Sequence, residues 1–117
     1  MTTASIQEII EALRRFTAER DWDQFHSPKN LSIALSVEAS ELLECFQWMS
    51  EEQSKALSAD ELQSVSEEMA DVFLFLLRLA DKLDVDLVKA SWLKLELNAE
   101  KYPIDKSRGK STKYTKL

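Results

Sequence analysis

The sequence predicts an all-α fold, a four-helix bundle-like domain, and three observations carry that expectation. The chain of 117 residues holds one Gly and two Pro, which suits long helices and leaves little material for the turns of a sheet. Apolar residues make up 44% of the chain and recur at helical rather than alternating spacing. Each of four apolar runs is preceded by Ser or Asp, where a helix needs a side chain to satisfy its first free N–H groups.

The first helix opens at Ser5-Ile6-Gln7-Glu8, a capping-box pattern, and carries Ile9, Ile10, Leu13 and Phe16 to about Arg20. Asp21 to His26 is an aromatic-rich connection. Ser27-Pro28 then places a capping hydroxyl before a proline whose missing N–H costs nothing in a first turn. The second helix is expected to run to about Met49, and Ser50 to Leu57 is polar with room for one short helical turn. Ser58-Ala59-Asp60-Glu61 is another capping box, opening a third helix that is most apolar from Met69 to Leu83. Asp84-Val85-Asp86 interrupts the pattern. Asp86 caps a fourth helix carrying Leu87, Val88, Trp92, Leu95 and Leu97, with Trp92 expected in a core or interface, and Tyr102-Pro103 ends it. Residues 1–102 are thus expected to form one helical domain. Residues 103–117 form a basic tail of that domain, with Lys106, Arg108, Lys110, Lys113 and Lys116 in a composition that is mobile unless docked.

The net charge of −6 argues against a nucleic-acid polymer as partner, because phosphate backbones are held by basic patches. It leaves open a small phosphorylated ligand, since a divalent metal reverses the local charge. Cys45 is the only cysteine, so no intrachain disulfide forms; a reducing compartment is the simplest setting, and the thiol packs beside Leu42 and Phe46. Met1 to Ile6 lacks the basic and apolar regions of a signal peptide, and no apolar run reaches the roughly 20 residues of a membrane span. The expected setting is cytoplasmic, with no membrane partner.

The acids carry the chemistry. Glu38 and Glu41 are three residues apart and project from one side of the second helix. Leu31, Leu35, Leu42 and Phe46 flank them, so they sit within or beside the face to be buried. Glu68 and Asp71 repeat the arrangement on the third helix among Val65, Val72, Phe75 and Leu76. Each buried unpaired carboxylate has an effective desolvation penalty of several kcal/mol, and like charges repel besides. A hard cation removes that difficulty, and Mg²⁺ takes oxygen ligands while keeping positions for water and phosphates. Zinc or iron prefers imidazole or thiolate, and the sole histidine lies outside both acidic pairs. The plain alternative is solvated charge, which is how Glu44, Glu51, Glu52 and Glu67 read.

The string Glu38-Ala-Ser-Glu41-Leu-Leu-Glu-Cys-Phe-Gln-Trp48, followed by Glu67-Glu68-Met-Ala-Asp71-Val, resembles the E-x-x-E … E-x-x-D signature of the MazG-like all-α nucleoside triphosphate pyrophosphohydrolases. Glu19-Arg-Asp-Trp22-Asp-Gln-Phe-His26-Ser-Pro-Lys-Asn30 and the tail elements Lys101-Tyr102-Pro103, Ser107-Arg108-Gly109 and Lys113-Tyr114 are similar to the dCTP pyrophosphatase branch. The likeness covers nearly the whole chain. It implies a helical bundle assembled as a homotetramer, a dimer of dimers, with active sites using more than one subunit. It places Mg²⁺ on Glu38, Glu41, Glu68 and Asp71, sets Trp22 and Trp48 around the base, and brings Asn98, Lys101, Tyr102 and the tail to sugar or phosphates. Phe75 is a departure: close dCTP-specific relatives are expected to carry a tyrosine there, and its hydroxyl is missing.

The expected reaction is hydrolysis of a nucleoside triphosphate, dCTP or a modified dCTP, to the monophosphate and pyrophosphate. Metal ions offset charge around the α-phosphorus and lower the pKa of the attacking water, while Glu41 or Glu38 orients or deprotonates it. Lys101, Arg108 and Lys110 hold the triphosphate or merely keep a tail soluble. Trp22 and Trp48 stack on a base or seal the bundle ends. His26 touches the ligand or caps the loop before Pro28. Three competing readings remain: a ferritin-like di-iron protein, which normally uses Glu-x-x-His pairs absent here; a non-catalytic helical interaction module; and a pyrophosphatase of broader nucleotide range.

Overall fold

In the computed structural model, which describes residues 5–117, every regular element is helical and no strand occurs among the described residues. The expectation that the amino terminus lacks a leader falls largely on residues 1–4, outside the described residues. The elements are α1 (Ile6–Glu19), a 3₁₀ turn (Asp23–Phe25), α2 (Pro28–Glu44), α3 (Glu51–Ser54), α4 (Ala59–Lys82), α5 (Leu87–Lys101), α6 (Ile104–Ser107) and a second 3₁₀ turn (Tyr114–Lys116). None of the helices among the described residues is long and apolar enough to cross a membrane.

The caps explain where these helices begin. Ser27 accepts from the Asn30 N–H with Pro28 in the first turn, and Asp86 accepts from the Lys89 N–H. Ser58 and Glu61 form a reciprocal capping box at the start of α4. At α1 only the serine half of the expected box forms, with Ser5 accepting from the Glu8 N–H.

Helix α2 stops at Glu44 rather than at the expected Met49. A second reciprocal box, Ser50 with Gln53, opens α3 and holds Ser50 in an extended conformation, φ −74° and ψ 163°, through which no helix can run. The intervening chain tightens into turns, the Cys45 N–H bonding to Leu42 O and the Met49 N–H to Phe46 O. Cys45 is partly buried and its thiol donates to the Glu41 carbonyl at 3.7 Å.

The end of α1 matters most for the site. Asp21 takes φ +53°, in the left-handed region, while the Asp21 N–H bonds to Ala18 O and the Trp22 N–H to Thr17 O. This pair of bonds is a Schellman motif, and it turns Trp22 back onto Phe16, ring centroids 5.7 Å apart and edge to face.

The chain forms two compact units, the first ending at Asp84 and the second running Val85–Leu117. In the first, α2 packs along α4, and α1 packs on α4 as well. Its buried apolar residues are Leu31 from α2 and Val65, Leu77 and Ala80 from α4. Arg14 clamps Asp81 with two hydrogen bonds of 2.8 and 2.5 Å, tying α1 to the far end of α4. In the second unit, the tail expected to be mobile unless docked forms two short helical turns, Ile104–Ser107 and Tyr114–Lys116. Tyr114 meets Tyr102 edge to face at 5.9 Å, and Lys101 Nζ stands 4.9 Å from the Tyr114 ring centroid, so aromatic and cation–π contacts dock it. Trp92 is 66% exposed, so it is not part of a core within this chain.

Candidate active site

The antiparallel packing of α2 along α4 brings acids of the two helices together. One carboxylate oxygen from each of Glu38, Glu41 and Glu68 lies within 4.8 Å of the others. Glu38 and Glu41 are one helical turn apart on α2, and Glu68 faces them from α4. Glu38 and Glu68 are only partly exposed, and one oxygen of each, Oε2 in both, is sealed from solvent with no hydrogen-bond partner. A buried acceptor without a partner is rare and costly, and carboxylate oxygens converging in this state have the donor set of a hard divalent cation. These residues fit such an ion.

The electrostatics agree. Burial, followed by the neighbouring Glu41, Asp71 and Glu68 carboxylates, pushes Glu38 up from 4.5 to about 7. Glu68 is raised by the same causes, burial first and then the Glu41 charge. Asp71, expected as the fourth ligand, contributes no oxygen to the three-acid cluster. It lies one turn beyond Glu68, its charge acts on Glu38 and Glu68, and it lines the adjoining cavity.

That cavity, about 210 Å³, lies in the first unit between α1, the turn after it and α4. Its walls bring together four of the expected site residues, Trp22, His26, Asp71 and Phe75. Trp22 stands between Phe16 and His26, its ring 6.4 Å from the imidazole. The volume is below the several hundred Å³ of a site for a whole drug-sized ligand, and suits one ring system rather than an entire nucleotide. Trp48, by contrast, stands on the turn after α2, 88% exposed and outside the cavity wall.

Asn98, Lys101, Tyr102, Arg108 and Lys110 all belong to the second unit. Tyr102 and Arg108 line a shallow cavity there with Ala99, Ile104 and Asp105. Lys110 is exposed, and Asn98 accepts the Tyr102 N–H through its backbone carbonyl.

Sequence reasoning passed over two cavity residues, Thr17 and Arg78, which are 3% and 6% exposed. Arg78 was legible in principle, as a lone cation inside the run Phe73 to Ala80, where a buried charge requires partners. Those partners, Asp23 and His26, come from a loop more than 50 residues earlier and have no local signature.

A family model for MazG-like proteins matches residues 33–117, the segment that holds all four expected ligands. The chain belongs to the MazG-like family. Its MazG-like sequence is 42% identical to dCTP pyrophosphatase 1 of Bos taurus over 97% of this chain and 70% of that one. It is 40% identical to dCTP pyrophosphatase 1 of Homo sapiens over the same shares. Among solved structures, a pyrophosphatase from Archaeoglobus fulgidus superimposes with a TM-score of 0.80 at 36% identity, over 88% of this chain and 96% of that one. The all-helical fold expected from the sequence is therefore that of a MazG-like enzyme, a nucleoside triphosphate diphosphatase whose acidic cluster suits a divalent metal ion.

Proposed function

We propose that this chain is a Mg²⁺-dependent pyrophosphohydrolase that converts dCTP, or a modified dCTP, to the monophosphate and pyrophosphate. The observation that carries the reading is the convergence of Glu38, Glu41 and Glu68 with two buried, partnerless oxygens, beside a cavity for one base-sized ring. The relatives named dCTP pyrophosphatase 1 support the choice of nucleotide.

Glu38, Glu41, Glu68 and Asp71 are the proposed ligands. When bound, Mg²⁺ supplies charge neutralisation at the phosphate oxygens and a lowered pKa for the attacking water. Glu38 or Glu41 aligns that water with the α-phosphorus and takes its proton. The new bond joins water oxygen to the α-phosphorus, and the α–β bridging P–O bond breaks, its electron pair leaving with pyrophosphate. Trp22 and Phe75 pack on the base, His26 stands at its edge, and Trp48 closes over it. Asn98, Lys101, Tyr102, Arg108 and Lys110 of the second unit are the proposed contacts to sugar and phosphates, the last two from the basic tail 103–117. Many large apolar side chains are exposed on the single chain, including Ile33, Val37, Leu62, Met69 and Leu95, which supports self-association. The proposed assembly is a homotetramer, a dimer of dimers, and the proposed setting is the cytoplasm. No nucleic-acid polymer or membrane is a partner.

Purified protein with Mg²⁺ should release pyrophosphate from dCTP. Glu38→Gln and Asp71→Asn should each slow release by about a hundredfold or more, the scale of losing one preorganised electrostatic group, with helical content intact. Activity without any divalent metal, or activity surviving both substitutions, defeats the reading. The mostly apolar cavity wall around Phe75 favours, as a second reading, a wider range of bases; a panel of nucleoside triphosphates separates the two.

A further inference from the structure

The buried cation of the first unit has no part in the chemistry above, yet it borders the base cavity. Arg78 is 6% exposed, and its guanidinium is held by Asp23 Oδ1 at 2.8 Å and by Asp81 at 3.6 Å. Lys82 also reaches Asp23. With those groups engaged, Arg78 Nε points at His26 and donates to its Nδ1 at 3.2 Å.

A guanidinium can only donate, so the nitrogen facing it must carry a lone pair. A neutral imidazole with its lone pair on Nδ1 has its proton on Nε2. We propose that Arg78 is a positioning residue for substrate recognition, holding His26 as the neutral Nε2–H tautomer so that His26 donates one hydrogen bond to an acceptor on the pyrimidine edge. The identity of the ligand rests on the function proposed above; the Arg78–His26 relationship does not.

The cavity wall makes that donor matter. Leu13, Phe16, Leu74 and Phe75 offer no hydrogen bond. The Thr17 hydroxyl is engaged with the Leu13 and Arg14 carbonyls of its own helix, so it presents only its methyl group. Asp71, when ionised, accepts but does not donate. His26 Nε2 has no protein partner among the described hydrogen bonds and is not sealed from solvent. It and the Trp22 indole N–H are the neutral donors of the wall, and only the imidazole has its donor set by another residue. A pyrimidine carbonyl oxygen, or an unprotonated ring nitrogen, is the matching acceptor.

The surrounding charges keep His26 from taking a second proton, which would set two donors against each other. Partial burial and the Arg78 and Lys82 cations of α4 push its pKa below the usual imidazole value, against the opposing pull of Asp23 from the 3₁₀ turn; Asp71 of α4 borders the same cavity.

His26 is the only histidine, so the long-range ¹H–¹⁵N correlation spectrum of untagged, ¹⁵N-labelled protein reports this ring alone. Near neutral pH the spectrum should show a bare Nδ1 and a protonated Nε2. The opposite tautomer, or an imidazolium, overturns the proposal. In Arg78→Met the ring should populate both tautomers, and KM for dCTP should rise about three- to tenfold, the range of one neutral hydrogen bond, with kcat within about twofold. His26→Ala should raise KM similarly, and His26→Gln, whose amide N–H reaches the Nε2 position, should recover it. Equal KM for His26→Ala and the parent overturns the recognition role. If circular dichroism finds Arg78→Met unfolded, the parent spectrum and the Ala/Gln pair decide. Absence of dCTP hydrolysis by the parent overturns the proposed function and base recognition with it, while the spectrum still decides whether Arg78 sets the tautomer.

Discussion

Glu38 on α2 and Glu68 on α4 each bury one carboxylate oxygen that has no hydrogen-bond partner, and both side chains reach the same 4.8 Å cluster. Within one helix, acids a turn apart are ordinary. Across two packed helices, with their acceptors sealed, they form an unfavourable arrangement that a cation makes favourable. Stability and activity should therefore respond to these residues in opposite directions.

Without divalent metal, Glu38→Gln should raise stability near pH 8 by about 1 kcal/mol, because an amide removes a repelling charge and supplies a donor to an unsatisfied neighbour. Denaturant midpoints in the presence of a chelator measure this. A loss of stability under those conditions would show that the carboxylates are not in conflict.

The pH dependence has a definite sign. Glu38 titrates at about 7 in the fold against 4.5 ordinarily, so between those values the folded state keeps a proton that the unfolded chain has released. This group's contribution to metal-free stability accordingly falls as pH rises through that window and levels off above about 7. Glu68, raised in the same direction, adds to the trend. A bound cation competes with those protons, so the rise in Tm caused by Mg²⁺ should grow from pH 5.5 to pH 8. A metal-induced shift that is the same at both ends contradicts the assignment.

Leu77 is 1% exposed, the same as Leu31 on the helix packed against it. Leu77→Ala should cost about 2–5 kcal/mol, as core truncations that leave a cavity do. Since it carries no chemistry, any activity that survives below the lowered Tm should keep its KM.

Helix ends provide a matched pair of tests. Ser58→Ala removes the capping-box acceptor from α4 and should cost about 1 kcal/mol. Asp21→Gly should have the reverse effect, adding about 0.5–1 kcal/mol, because Asp21 holds φ +53° where a Cβ is strained. Urea unfolding of the two variants beside the parent checks both signs.

Much of this protein was legible because it depends on interactions a few residues long. The hydroxyls of Ser27 and Ser58, the Asp86 carboxylate and the spacing of Glu38 with Glu41 act across three or four positions, and a helix repeats over that distance. The early stop of α2 is also local, in Ser50 and Gln53, but the polar run around them signals no more than a short turn; the docked tail depends on Tyr114 finding Tyr102, twelve positions back.

The sequence by itself determined the helical class, most helix starts and the identity of the acids, because caps and periodicity are short-range. Tertiary packing alone decided that Glu68 joins Glu38 and Glu41 while Asp71 turns toward the cavity, and that Arg78 meets His26 across 52 positions. Those relationships are set by how α2 and α1 lie along α4, and the free energy of that packing comes from apolar area that many registers of one amphipathic pattern would bury almost equally well.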